Sequence, residues 1–156
     1  MPKSRTIKGY KATDENGVCQ PSQYNCQYYE VGKVYELEYP EHLMLCYRGF
    51  HFCERLYEVF CYYPRDRFTR VFEVEALGTV SRPCYGGKYN DTSAGKCVTD
   101  KIRIVRELSR REILDQLERE SMDKRYPEWP RWEAARVLED LNTAYTPIET
   151  RKGDRI

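Results

Sequence analysis

Apolar and polar residues alternate with period two through the first two thirds of the chain, and recur with a period near 3.6 in the last third. Alternation marks a strand with one buried face, whereas apolar residues at i, i+3, i+4 and i+7 mark one stripe of a helix. Thr6 to Lys11 reads as a first strand, and Asp14-Glu15-Asn16-Gly17 as the turn that ends it. Tyr28 to Glu30 and Lys33 to Tyr39 read as short strands broken at Gly32, and Leu43 to Tyr47 is strand-like. In Gly49-Phe50-His51-Phe52-Cys53 the two Phe share one face and His51 and Cys53 the other. Leu56, Val59, Phe60 and Tyr63 then form a helical stripe that Pro64 stops. Arg70 to Leu77 is the clearest strand, with Phe72, Val74 and Ala76 on one side and Glu73 and Glu75 on the other. Ser81 to Lys96 reads as a long polar loop, and Val98 to Arg106 as one further strand.

Ser109-Arg110-Arg111-Glu112 is a capping box: the serine hydroxyl accepts from the Glu112 amide while Glu112 reaches back to the Ser109 amide. The helix that it opens carries Ile113, Leu114 and Leu117. Pro130 suits the first turn of a last helix, whose apolar face is Ala134, Val137, Leu138, Leu141 and Tyr145. Strands, a helix, strands and two helices, in that order, predict an α+β domain with a mainly antiparallel sheet. We expect one domain over residues 1–146, comprising a core at 6–113 and a helical extension at 114–146, and a frayed tail at 147–156.

Composition narrows the function classes. The charged fraction is 33%, but 26 basic residues nearly cancel 25 acidic ones, and the balance holds in each half of the chain. That gives no support to nucleic-acid binding, which needs a positive face to exchange for phosphate counterions. No apolar run reaches membrane-spanning length and none follows Met1-Pro2-Lys3-Ser4-Arg5, so the expectation is an intracellular protein without a membrane partner. Its seven cysteines are then expected to be free thiols. Fourteen tyrosines suit half-buried sheet positions first and interfaces second.

Three constellations could carry chemistry. Cys46, His51 and Cys53, with Cys61, could offer soft ligands to a metal, but a one-residue gap on a strand is an unusual zinc spacing, and buried thiols more often act as small hydrophobes. Glu73 and Glu75 could form an acid/base pair, against which stands a cross-strand charge ladder with Lys101 and Arg103. Cys53 or Cys61 could pair with His51 or His42 as a nucleophilic dyad, although no local nucleophile signature surrounds them. Tyr126, Trp129 and Trp132 are expected to pack the junction of the last two helices. No catalytic residue, metal or cofactor is assigned on these grounds.

The order of Ile7-Lys8-Gly9-Tyr10-Lys11, Tyr29-Glu30-Val31-Gly32-Lys33-Val34-Tyr35, Leu45-Cys46, Gly49-Phe50-His51-Phe52-Cys53, Phe72-Glu73-Val74-Glu75 and Lys101-Ile102-Arg103-Ile104 resembles an uncharacterised domain family of tailed phages, bacteria and large DNA viruses. The stand-alone form is similar to proteins of Marseille-type giant viruses. The resemblance spans Thr6 to Ile113; Ser81 to Lys96 is an insertion and the segment after Leu114 an extension. It implies a viral protein of the host cytoplasm or nucleus, or one packaged in the virion, and it implies no reaction. At fold level the strand, the Gly-x-x-Phe step and the helix ending in Tyr-Tyr also resemble ADP-ribosyltransferases, in which Tyr10, His51, Tyr62 and Glu75 would form a nicotinamide-binding set; that is analogy alone. The function expected is non-enzymatic binding to a viral or host protein, by a homodimer whose two-fold contact uses Trp132, Leu138 and Leu141 of the last helix.

Overall fold

The computed structural model describes residues 6–19, 27–43, 48–82 and 95–147. Among the described residues, nine strands run β1 (Ile7–Thr13), β2 (Val18–Cys19), β3 (Gln27–Tyr28), β4 (Val34–Glu36), β5 (Phe50–Cys53), β6 (Arg70–Ala76), β7 (Val80–Ser81), β8 (Lys96–Thr99) and β9 (Lys101–Glu107). Three α-helices join them: α1 (Leu56–Val59), α2 (Arg110–Met122) and α3 (Glu128–Tyr145). Seven strands form one antiparallel sheet in the order β4-β9-β6-β1-β5-β8-β7, while β2 and β3 pair separately. The α+β class and the antiparallel sheet match the sequence expectation. Leu43 to Tyr47 falls mostly outside the described residues, as does most of the Ser81 to Lys96 loop.

The sheet is divided at its middle. β1 pairs with β6 over its whole length, yet meets β5 at a single register position, Tyr10 opposite Cys53. At that crossing Gly9 has no room for a side chain, since a Cβ would stand 2.6 Å from the Cys53 carbonyl oxygen. Beyond the crossing the two strands part. The halves then fold towards each other, so that Phe50 and Phe52 of one half share a core with Phe72, Val74, Ile102 and Ile104 of the other. Tyr29 and Tyr35 close this core from above, with ring centroids 6.5 and 6.3 Å from Phe50.

Two expected elements are corrected. Val98 to Arg106 is not one strand: the chain turns at Asp100, so β8 belongs to one half of the sheet and β9 to the other. The turn is fixed because the Asp100 carboxylate accepts from the Thr79 amide at 2.8 Å and its carbonyl from the Leu37 amide at 2.8 Å. Apolar alternation continues straight through the corner and hides it. The helix after Cys53 is one α-turn, Leu56–Val59, followed by tighter turns in which Phe60, Cys61 and Tyr62 each donate three residues back.

The other sheet face is covered by the helices. Ala12 and Val71 of the sheet, Leu56, Val59 and Phe60 around α1, Ile113 and Leu117 of α2, and Ala134, Val137 and Leu141 of α3 make one apolar cluster. A fully buried Leu or Val contributes about 1.5–3 kcal/mol, so the two C-terminal helices are held by their own sheet. The capping box at Ser109 and Glu112 is present, with both hydrogen bonds at 3.1 Å. A second cap joins α2 to α1: Glu120, buried, accepts from the Leu56 and Tyr57 amides at 2.7 and 2.9 Å. These amides open α1 and would otherwise have no acceptor.

This packing changes the expected dimer contact. Leu141 is fully buried and Leu138 packs half-buried against the same cluster, whereas Trp132 is 63% exposed. The three do not share one surface. Trp129 and Trp132 lie on the solvent face of α3 instead of packing the helix junction; there Tyr126 alone is engaged, under the Arg55 guanidinium at 3.4 Å.

Candidate functional site

Where β1 and β5 part, the space between the sheet halves opens into a cavity of about 860 Å³. β1 supplies Tyr10 and Lys11, β5 supplies His51 and Cys53, the turns after α1 supply Cys61, Tyr62 and Tyr63, and β8 supplies Lys96. Tyr29 forms the opposite wall, and the exposed Glu38, Tyr39 and Arg48 stand at its mouth.

Divergence of the strands also explains Lys11. A lysine in mid-strand next to Ala12 is buried, at 7% exposure, and its ammonium donates to the His51 carbonyl at 2.6 Å, bridging the gap between the strands. It lies 4.7 Å from the centroid of the Tyr29 ring, a cation–π contact. Burial, and the charge of Lys96 nearby, hold the Lys11 amine below its usual range. Lys96 stands over the Tyr62 ring at 4.6 Å.

His51 is pushed down to about 3 by burial first and then by Lys11 and Lys96, so the imidazole is neutral at physiological pH. Burial pushes the Cys53 thiol well up and that of Cys97 to about 12. The Cys61 thiol rises too, through burial and Glu133. Thiols held protonated are poor nucleophiles and poor metal ligands, so this chemistry does not favour the Cys–His dyad. Among the described residues no group of three or more His, Cys, Asp or Glu stands together as a metal site, and Cys46 lies outside them. Cys19, Cys53, Cys61 and Cys97 are free thiols.

The structure divides the other sequence candidates. Tyr10, His51 and Tyr62 line the cavity together, and Glu73 and Glu75 do not. Glu75 pairs with Arg103 at 3.3 Å, as the charge ladder requires. Glu73 pairs with Arg106 at 2.7 Å rather than with Lys101: the antiparallel register carries Lys101 past the Ala76–Ile102 pair, and the irregularity between Glu73 and Val74 brings Arg106 opposite Glu73. Lys101 reaches Glu36 instead, at 3.9 Å. Among the described residues that line the cavity, the one carboxylate is Glu38.

Sequence reasoning missed Lys11 and Lys96. One signal was present: Lys11 stands between Tyr10 and Ala12 within a strand, and a lysine that turns inward there must have a specific partner. No curated protein and no solved structure matches this chain. Residues 7–116 match the family described as a domain of unknown function, DUF7666, and with well over half of its length covered the chain belongs to that family.

Proposed function

We propose that this chain is a non-catalytic binding protein and that the cavity between the sheet halves takes a small molecule with a planar ring. The observation that carries this reading is the wall of tyrosines around a space of about 860 Å³, a size and lining suited to a small organic ligand. The tyrosine rings offer flat apolar faces, and the neutral His51 and protonated Cys53 supply hydrogen bonds without a ready nucleophile. Saturation-transfer NMR with a library of ring compounds tests it: binders should appear for the wild type and disappear for Tyr62→Ala. Binders that persist in that variant would place the site elsewhere.

A second reading, an ADP-ribosyltransferase-like enzyme, draws support from Tyr10, His51 and Tyr62 lining one cavity. The position of Glu75, outside the lining and paired with Arg103, weighs against it. Nicotinamide release from the dinucleotide, lost in Glu75→Gln, would replace the binding reading with this one. The viral origin and virion packaging implied by the sequence resemblance, and a homodimer, belong to the same proposal. Proteomics of purified particles tests the first two, and light scattering tests the third, with Trp129 and Trp132 as the exposed apolar residues of α3.

A further inference from the structure

Two lysine amines face the cavity, and among the described residues neither has a carboxylate at ion-pair distance. Lys11 is buried at 7% exposure, and its contacts are a carbonyl oxygen and a tyrosine face. Lys96 lies within electrostatic reach of Lys11 and lines the same cavity. Burying an ammonium without a counter-ion is costly, and two in one cavity repel. Elsewhere on this chain arginines do find carboxylates, Arg65 with both Glu133 and Asp140 and Arg106 with both Glu73 and Glu112.

Resting on the binding reading above, we propose that the ligand is a ring compound bearing a phosphate monoester, whose dianion sits between Lys11 and Lys96 while its ring lies against the tyrosines. The amines of Lys11 and Lys96 face one space whose described lining holds one carboxylate, Glu38, beside Arg48 at the mouth; a doubly charged anion between the two amines would favour their protonated forms, and a phosphate monoester carries nearly two negative charges at pH 7. A single carboxylate would leave one lysine unmatched. Lys11, held in place by the His51 carbonyl, still has two ammonium hydrogens to offer.

The test is calorimetric titration of the full chain with the four nucleoside 5′-monophosphates, the parent nucleosides and inorganic phosphate. At least one monophosphate should bind at least about tenfold more tightly than its nucleoside, the usual scale for a hydrogen bond to a charged group. Raising the salt should erode that preference. Lys96→Gln, at a half-buried position, should remove it. Lys11→Met should do the same, and if that chain fails to fold the Lys96 variant decides. Equal affinity for nucleotide and nucleoside, or a preference unchanged in Lys96→Gln, would overturn the anion subsite and leave the binding reading standing. No binding by any nucleotide or nucleoside, with ring compounds of other kinds bound, would likewise overturn the phosphate. Conversion of a bound nucleotide to product would overturn the non-catalytic reading alone.

Discussion

Glu58 gives the sharpest test of the packing around the cavity. It sits in α1 at 7% exposure, and its Oε1 accepts from the Arg55 amide at 3.1 Å. The backbone of Gly95 crosses directly over the carboxylate: a Cβ there would overlap Oε2, and Gly95 has a φ of +74°. Burial pushes the Glu58 carboxyl from 4.5 up to about 7, against the opposing pull of Arg55. The folded state therefore holds this proton more tightly than the unfolded chain does. Its contribution to stability is fully present below pH 4.5, falls as pH rises towards 7, and is flat above that. A span of about 2.5 pH units corresponds to a loss of about 3 kcal/mol. Glu58→Gln keeps an acceptor for the Arg55 amide and removes the ionisation. Urea unfolding of both proteins from pH 4.5 to 8 should show a difference that grows with pH by about 3 kcal/mol in favour of the variant. The diagnostic quantity is the slope of that difference, because an altered hydrogen bond adds only a constant offset. Parallel stability curves, or a Glu58 carboxyl that titrates near 4.5 by NMR, would refute the reasoning.

Glu120→Ala should cost about 3 kcal/mol in the same assay, since it strands two buried amides at the start of α1; Glu120→Gln, which keeps one acceptor, should lose less. His51, held down to about 3, should show no imidazole titration between pH 5 and 8 by NMR, and its share of stability should fade only as the pH drops below the ordinary value of 6.5. Leu141→Ala should cost about 2–5 kcal/mol because it opens a cavity in the core. Trp132→Lys should leave unfolding within about 0.5 kcal/mol of the wild type, as expected for an exposed site.

Local patterns were legible in the sequence because they depend on neighbours within a turn or a strand. The alternation of Phe72, Val74 and Ala76 and the box at Ser109 and Glu112 stand where the pattern puts them. The corner at Asp100 was hidden because it is set by Thr79 and Leu37, residues distant in the chain. The stripe of α3 shows that Leu141 is covered but not by what, and its own sheet supplies the cover. For the site, His51, Tyr10 and Tyr62 could be singled out by residue type, while Lys11 gains its meaning from two strands parting beside it. Glu73 and Glu75 read as a pair, and the antiparallel register against β9 sets them against Arg106 and Arg103.

The place of β1 in the sheet has a consequence for how the chain is made. This strand leaves the ribosome before the other strands of its sheet, yet it occupies the centre of that sheet, and its full-length neighbour is β6, beginning at Arg70. β6 in turn needs β9, which begins at Lys101, to cover its other side. Synthesis proceeds at about 5–20 residues per second, so the apolar residues of β1 stay uncovered for seconds before a partner exists. A sheet assembled from such distant segments also folds slowly, on the scale of milliseconds to seconds. Lys8 on one side of the Gly9 crossing and Lys11 beyond it put positive charge into this waiting strand, and charge of that kind discourages pairing with another nascent copy. The lysine that reaches the His51 carbonyl in the finished cavity thereby also guards the strand before the cavity exists.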